Sequence, residues 1–182
     1  TFEKKDISDI SYIRRKYYKM SLDSSHLPIK PGSEKIYLDD RDAANNTVLT
    51  STITFSEYNK PGSTFSVTAD LLYAGKDYTI DYEKGVIVFK RYIQQNYIIA
   101  VDYEKQDGTR VYNDAPMPSY KLIKDESETL AKELKNYYSI GRTKMIRDDN
   151  IGNFILKVYD LSRTERNDIA HYPTNIEVDF EA

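Results

Sequence analysis

From Glu34 to Glu104 the sequence runs in short stretches of alternating apolar and polar residues, each cut off by turn residues. A period of two places successive side chains on opposite faces of a strand, so each stretch can bury one face and leave the other in water. Lys35–Asp39 is the first. Thr47 to Tyr58 follows, with Val48, Thr50, Thr52 and Thr54 on one face and Leu49, Ile53 and Phe55 on the other; its β-branched content suits a pleated surface. After the turn Lys60-Pro61-Gly62-Ser63, a strand passes through Phe65, Val67 and Ala69. Asp77–Tyr82 and Gly85–Lys90, joined through Glu83-Lys84-Gly85, carry the clearest hairpin signal in the chain. Tyr97–Tyr103 makes a further strand, ended by the turn Gln106-Asp107-Gly108-Thr109.

The flanks read differently. Ile10, Ile13 and Tyr17 have helical spacing, which predicts a short helix over about Ser8–Lys19; the Pro-rich stretch Leu27–Ser33 then breaks any helix. Ala115-Pro116-Met117-Pro118 punctuates the middle of the chain. Beyond it, Asp125 with Glu128 has the form of a capping box, and Leu130, Ala131, Leu134, Tyr137 and Tyr138 form an apolar stripe ended by Gly141. These features predict an amphipathic helix over about Glu126–Ile140. Lys144–Arg147, Asn153–Leu161 and Asn175–Glu181 read as later strands. The expected architecture is a mainly β chain of antiparallel, sandwich-like sheets in two units with one packed amphipathic helix. Residues 1–30 form an N-terminal linker or short helix, 31–114 the first β-unit, and 115–182 the helix with the second β-unit.

Composition removes several function classes. There is no cysteine, hence no disulfide, thiolate metal site or cysteine nucleophile. The two histidines, His26 and His171, fall in loop-like segments outside any catalytic or metal motif, and the 7 glycines form no phosphate loop. With 26 basic and 29 acidic residues the formal charge is −3, which argues against a general nucleic-acid binder. One basic cluster stands out, Arg14-Arg15-Lys16-Tyr17-Tyr18-Lys19, and it reads first as a solvated face. No apolar run is long enough for a membrane-spanning helix. Asp39, Asp40 and Asp42, with Asn45 and Asn46 beyond, offer oxygen ligands in a loop of the kind calcium takes, although Arg41 interrupts them; an ordinary acidic turn is the competing reading. Asp148-Asp149-Asn150 is a weaker cluster of the same sort. No other cofactor is expected, and no enzyme activity.

Tyrosine is abundant, 17 residues against 6 Phe and no Trp. A tyrosine packs its ring and keeps its hydroxyl near water, which suits half-exposed sheets and also a sugar-binding face. The pattern aliphatic-Asp-aromatic-Glu recurs at Ile80–Glu83, Val101–Glu104 and Val178–Glu181, in keeping with two related β-units. A start at Thr1 and an end in a strand-like Val178–Ala182 fit a module of a longer chain.

The segments Pro31–Asp39 and Ala74–Phe89, together with Tyr137–Lys144 followed by Asn153–Leu161, resemble small β-modules of very large bacterial outer-membrane and cell-surface proteins, as in the gliding-motility and type IX secretion translocon family. The stretch between Asp39 and Leu72 is longer than the link usual there. The resemblance implies an extracytoplasmic, non-enzymatic module at the bacterial cell surface or outer membrane, binding protein partners or neighbouring modules of the same chain through Tyr-rich sheet faces and edges. Hairpins like Asp77–Tyr82 are similar to those of phage tail and capsid proteins too, so a virion structural domain is the alternative, with a sugar-binding module third.

Overall fold

The hairpin anticipated at Glu83–Gly85 is formed. In the computed structural model, which describes residues 6–47, 50–56, 64–111, 120–128, 131–139, 162 and 177–179, strand β5 (Tyr78–Asp81) turns back into β6 (Val86–Phe89), with Tyr78 opposite Phe89 and Ile80 opposite Ile87. Gly85 takes φ +62°, a backbone conformation that costs any residue with a Cβ, and the Asp81 carboxylate accepts the Lys84 N–H at 2.9 Å to close the turn.

The chain divides into two compact units, Arg14–Leu134 and the combination of Thr1–Ile13 with Lys135–Ala182. In the larger unit, β1 (Tyr17–Lys19) pairs antiparallel with β6 to give a three-stranded sheet in the order β1-β6-β5. The remaining strands are β2 (Lys35–Asp39), β3 (Thr50–Ser56), β4 (Thr64–Leu71), β7 (Ile98–Asp102) and β8 (Tyr120–Lys124). They close into a barrel in the order β2-β4-β3-β8-β7, with β2 pairing β7 to complete the ring. All these pairings are antiparallel except β3 with β8, where Phe55 lies opposite Tyr120.

The sandwich-like layering expected from the sequence takes the form of this small barrel with the three-stranded sheet against one wall. Tyr18, Tyr78, Ile87 and Phe89 from the sheet share a buried cluster with Ile36, Leu38, Ile99, Val101 and Ile123, which occupy the odd-numbered positions of β7 and the matching face of β2 and β8. The opposite parity, Ile98, Ala100, Tyr120 and Leu122, joins Ile53, Val67 and Ala69 to fill the barrel. Every residue of β7 is buried for this reason.

The amphipathic helix expected over Glu126–Ile140 is not formed. The structure is mainly β, 41% strand and 8% helical, and among the described residues the helical part consists of short 3-10 turns at Asp9–Ser11, Ser24–His26 and Ala43–Asn45. After β8 the chain turns at Asp125–Glu128, with Glu128 at φ +59°. Residues 131–134 lie between β8 and β1: Lys132 N–H donates to Ile123 O at 2.9 Å, Lys19 N–H to Lys132 O at 2.8 Å, and Leu134 N–H to Tyr17 O at 2.8 Å. Helix propensity is worth tenths of a kcal/mol per residue, and pairing that satisfies two neighbouring strands overrides it. The short helix expected over Ser8–Lys19 is absent as well. Ile10 is largely exposed while Ile13 and Tyr17 are buried, so these residues share no face; β1 takes the last three. The expected break after Lys30 falls within the larger unit, where Ile29 N–H donates to Tyr82 O and Lys30 N–H to Glu104 O, each at 2.9 Å.

In the smaller unit, β9 (Tyr137–Ser139) and β10 (Glu177–Asp179) pair in parallel, with Val178 opposite Tyr138. Ile13 N–H donates to Tyr137 O at 2.7 Å, and the Tyr138 hydroxyl to Asp9 O at 2.9 Å. The strands expected at Lys144–Arg147 and Asn153–Leu161, the Ala115–Pro118 link, the Asp148–Asn150 cluster and His171 lie outside the described residues. No helix among the described residues is long and apolar enough to cross a membrane.

Candidate interaction surface

The three aspartates proposed for calcium bracket the end of β2. Asp39 is buried; its Oδ1 accepts the Arg41 N–H at 2.8 Å and its Oδ2 the Arg41 guanidinium at 3.1 Å. Arg41, at φ +63°, also pairs with Glu126. Asp40 accepts the Asp42 N–H at 3.1 Å and the Asn45 amide at 2.9 Å, while Asp42 caps the 3-10 turn by accepting the Ala44 N–H at 2.9 Å. These are the bonds of a self-capped acidic turn. Among the described residues, no group of three His, Asp or Glu side chains is arranged to hold a metal.

A second cluster has residue types associated with nucleophilic catalysis. The Ser21 hydroxyl is 2.8 Å from His26 Nδ1, and His26 Nε2 is 3.6 Å from Asp23 Oδ2. Ser21, however, is only 3% exposed, and its Oγ accepts the Asp23 N–H at 3.1 Å. Asp23 in turn caps the Ser24–His26 turn. The arrangement clasps a loop, whose next residue, Leu27, packs over Gly85.

Other buried polar groups hold strands together. Lys124 is fully buried on β8 and its ammonium donates to three carbonyls, Gln95 at 2.5 Å, Tyr97 at 2.8 Å and Asp125 at 2.9 Å; burial lowers its pKa. Arg110 forks onto Asp102 at 2.6 and 3.1 Å. Glu34 accepts the Tyr82 hydroxyl at 3.0 Å and also faces Tyr78; burial first, and then the Glu34 carboxylate, raises the Tyr78 phenol. The sequence's basic cluster is similarly engaged: Arg15 binds Glu128 at 2.9 and 3.3 Å, and the Lys19 ammonium donates to Lys84 O at 2.5 Å.

Among the described residues tyrosine serves both as core and at half-buried positions, the latter including Tyr37, Tyr82, Tyr97 and Tyr138. Tyr17, Tyr18, Tyr78, Tyr103 and Tyr120 are buried, and Tyr37 meets Tyr120 edge-on at 5.0 Å. Among the described residues of the larger unit, two tyrosines are strongly exposed, Tyr73 at 49% and Tyr92 at 62%. Both flank the β5–β6 hairpin at the end opposite Gly85. Tyr73 N–H donates to the Asp77 carboxylate and Asp77 N–H to Tyr73 O, each at 2.9 Å, which locks the 73–77 loop. Lys90 N–H donates to Asp77 O at 2.9 Å and Ile93 N–H to Arg15 O at 2.8 Å, which fixes the 90–93 segment beside it. Exposed Lys76, Lys90 and Arg91 fall on the same two segments, with the Lys76 ammonium 5.7 Å from the Tyr73 ring centre. None of these three cations forms an ion pair among the described residues, although Arg91 helps to hold the Asp70 carboxyl below its usual range.

Sequence reasoning passed over this surface because its residues come from two segments separated by the hairpin. The hairpin signal, read together with the cations just outside both strands, would have located it.

The free strand edges are short. Lys90 N–H on Asp77 O sets the phase of the β5–β6 ladder, so the outward backbone groups of β5 belong to Tyr78 and Ile80. Tyr78 O already accepts Gly75 N–H at 2.7 Å, and just past β5 Tyr82 O accepts Ile29 N–H. The outer side of β1 is covered by residues 132–134, and the barrel has no edge.

No protein-family model, curated protein or solved structure matches the chain.

Proposed function

We propose that the chain is a non-enzymatic structural and interaction module of a bacterial cell-envelope or surface protein, placed outside the cytoplasm and contacting protein partners or neighbouring modules. The observation that carries this reading is the exposure of Tyr73 and Tyr92 on loops tied down by backbone hydrogen bonds, with Lys76, Lys90 and Arg91, which form no ion pair among the described residues, on the same two segments. Tyr and Arg are the residue types that dominate protein interfaces, and rigid loops lose little entropy on docking. The resemblance of Ala74–Phe89 to envelope modules supports the setting. Contacts run through these loops and through the Tyr-rich sheet faces and edges, where the outward groups of Ile80 on β5 remain on offer.

The test is site-specific photo-crosslinking from position 92 in the encoding bacterium, followed by fractionation. The expected product joins the chain to an envelope or surface protein. A chain found wholly in the cytoplasm, or one that turns over a small-molecule substrate with a Ser21-dependent rate, would overturn the reading.

A further inference from the structure

Between β8 and β1 the chain fills a strand position with a residue that ill suits it. Ala131 bridges Lys124 and Glu133 bridges Tyr18, both antiparallel, so Lys132 lies opposite Ile123 on one side and Lys19 on the other. Three backbone hydrogen bonds hold the segment: the Lys132 N–H donates to Ile123 O, the Lys19 N–H to Lys132 O and the Leu134 N–H to Tyr17 O. The side chain at its centre is 4% exposed, yet it is a lysine. Burial, and then the like charge of Lys121 on β8, bring its pKa down to about 8, so at neutral pH the position still encloses a cation. Nearby charged groups are committed elsewhere: the Lys19 ammonium to Lys84 O, Lys124 to three carbonyls, and the Glu133 carboxylate to the Arg15 N–H. We propose that residues 131–134 are a displaceable strand, and that a segment of a partner protein with an apolar side chain in place of Lys132 takes the position between β8 and β1. This step rests on the interaction-module reading above.

The backbone of Tyr17, Lys19 and Ile123 offers the same donors and acceptors to any incoming strand, so these hydrogen bonds are exchanged one for one. The side chain makes the difference. Displacement returns the Lys132 amine to water, while an apolar replacement packs beside fully buried Ile123. Tethering favours the resident segment, and the enclosed charge works against it. A second copy of this chain gains nothing by the exchange, because its own segment carries the same lysine. A partner strand with an apolar residue in that register does gain.

The test uses the full chain and fluorescence anisotropy with a labelled peptide of residues 130–136 carrying Lys132→Met. Saturable binding is expected, and the same peptide with its native lysine should bind more weakly. Lys132→Met in the chain itself seats the resident segment more firmly and should weaken peptide binding about tenfold, since only the open fraction is competent to bind. Without peptide, native-state hydrogen exchange should find the Lys19, Lys132 and Leu134 amides about tenfold or more less protected than that of Phe89, which donates to Lys16 O in the same unit. Equal protection of all four amides, equal affinity of the parent and the Lys132→Met chain, or equal binding of a scrambled peptide would each overturn the proposal. A parent dimer that the peptide disperses, seen by sedimentation, would give the position to a second copy and overturn it too. Peptide binding that fails while position 92 still crosslinks to an envelope protein refutes strand displacement and leaves the module reading standing.

Discussion

Gly85 and Lys132 show how single positions carry constraints that their neighbours do not. Gly85 and Gly108 both adopt positive φ, +62° and +83°, yet a Cβ at Gly108 meets nothing within 4 Å, whereas at Gly85 it falls 2.5 Å from Leu27 Cδ2. Gly85→Ala should therefore cost about 1–2 kcal/mol and exceed Gly108→Ala, compared by urea denaturation; equal losses would mean that Leu27 yields without cost. Lys132 is 4% exposed, and burial brings its pKa down to about 8. The unfolded chain keeps this proton up to about pH 10, so between about pH 8 and 10 it binds more protons than the fold, and stability rises with pH. Lys132→Met should flatten that rise, as read from urea denaturation between pH 7 and about pH 10. Above about pH 10 the trend reverses in both proteins, because burial raises the phenols of Tyr18, Tyr78 and Tyr120 and only the unfolded chain ionises.

Between elements, small polar ties set the register. Asp70 near the end of β4 accepts the Thr47 N–H at 3.2 Å, the Thr47 hydroxyl at 3.1 Å and the Thr50 hydroxyl, which fastens the entry to β3. Burial works to raise the Asp70 pKa, but these bonds and Arg91 together leave it lowered. A depressed carboxylate contributes stability above the unfolded value near 4 and loses it as pH falls through the folded value. Asp70→Asn should thus cost about 1 kcal/mol at pH 7 and nearly nothing near pH 2, as read from thermal melts across that range. The elements most legible in the sequence were of this local kind: Lys35–Asp39 is β2 residue for residue, and the turns at Gly85 and Gly108 fall where expected. The helix over Glu126–Ile140 misled because Asp125, Glu128 and the apolar stripe satisfy a helix locally. What decided that segment was the empty hydrogen-bonding side of Tyr17 and Ile123, residues more than a hundred positions apart in one case. The acidic turn at Asp39–Asp42 was visible as a cluster, but not its engagement with Arg41, Asn45 and its own backbone, which depends on a left-handed residue at position 41.

For the molecule as a whole, far-ultraviolet circular dichroism should show a β spectrum without the double minimum of α-helix, since the helical residues described form only 3-10 turns; a strong helical minimum would contradict the extended path of residues 131–134. Alternation revealed a β chain but not barrel closure, because closing the ring depends on β2 meeting both β4 and β7, a long-range choice that leaves no periodic trace. Closure makes β7 a party wall: Ile98 and Ala100 serve one core, Ile99 and Val101 the other. In an ordinary half-buried strand, every second letter is free to vary. Along β7 no letter is, so a mutational scan should find Ile98–Val101 intolerant at consecutive positions, while exposed Thr52 and Thr68, facing each other across β3 and β4, accept polar and charged replacements. One short run of text here is read twice, once from each side, and a misprint in it damages both messages.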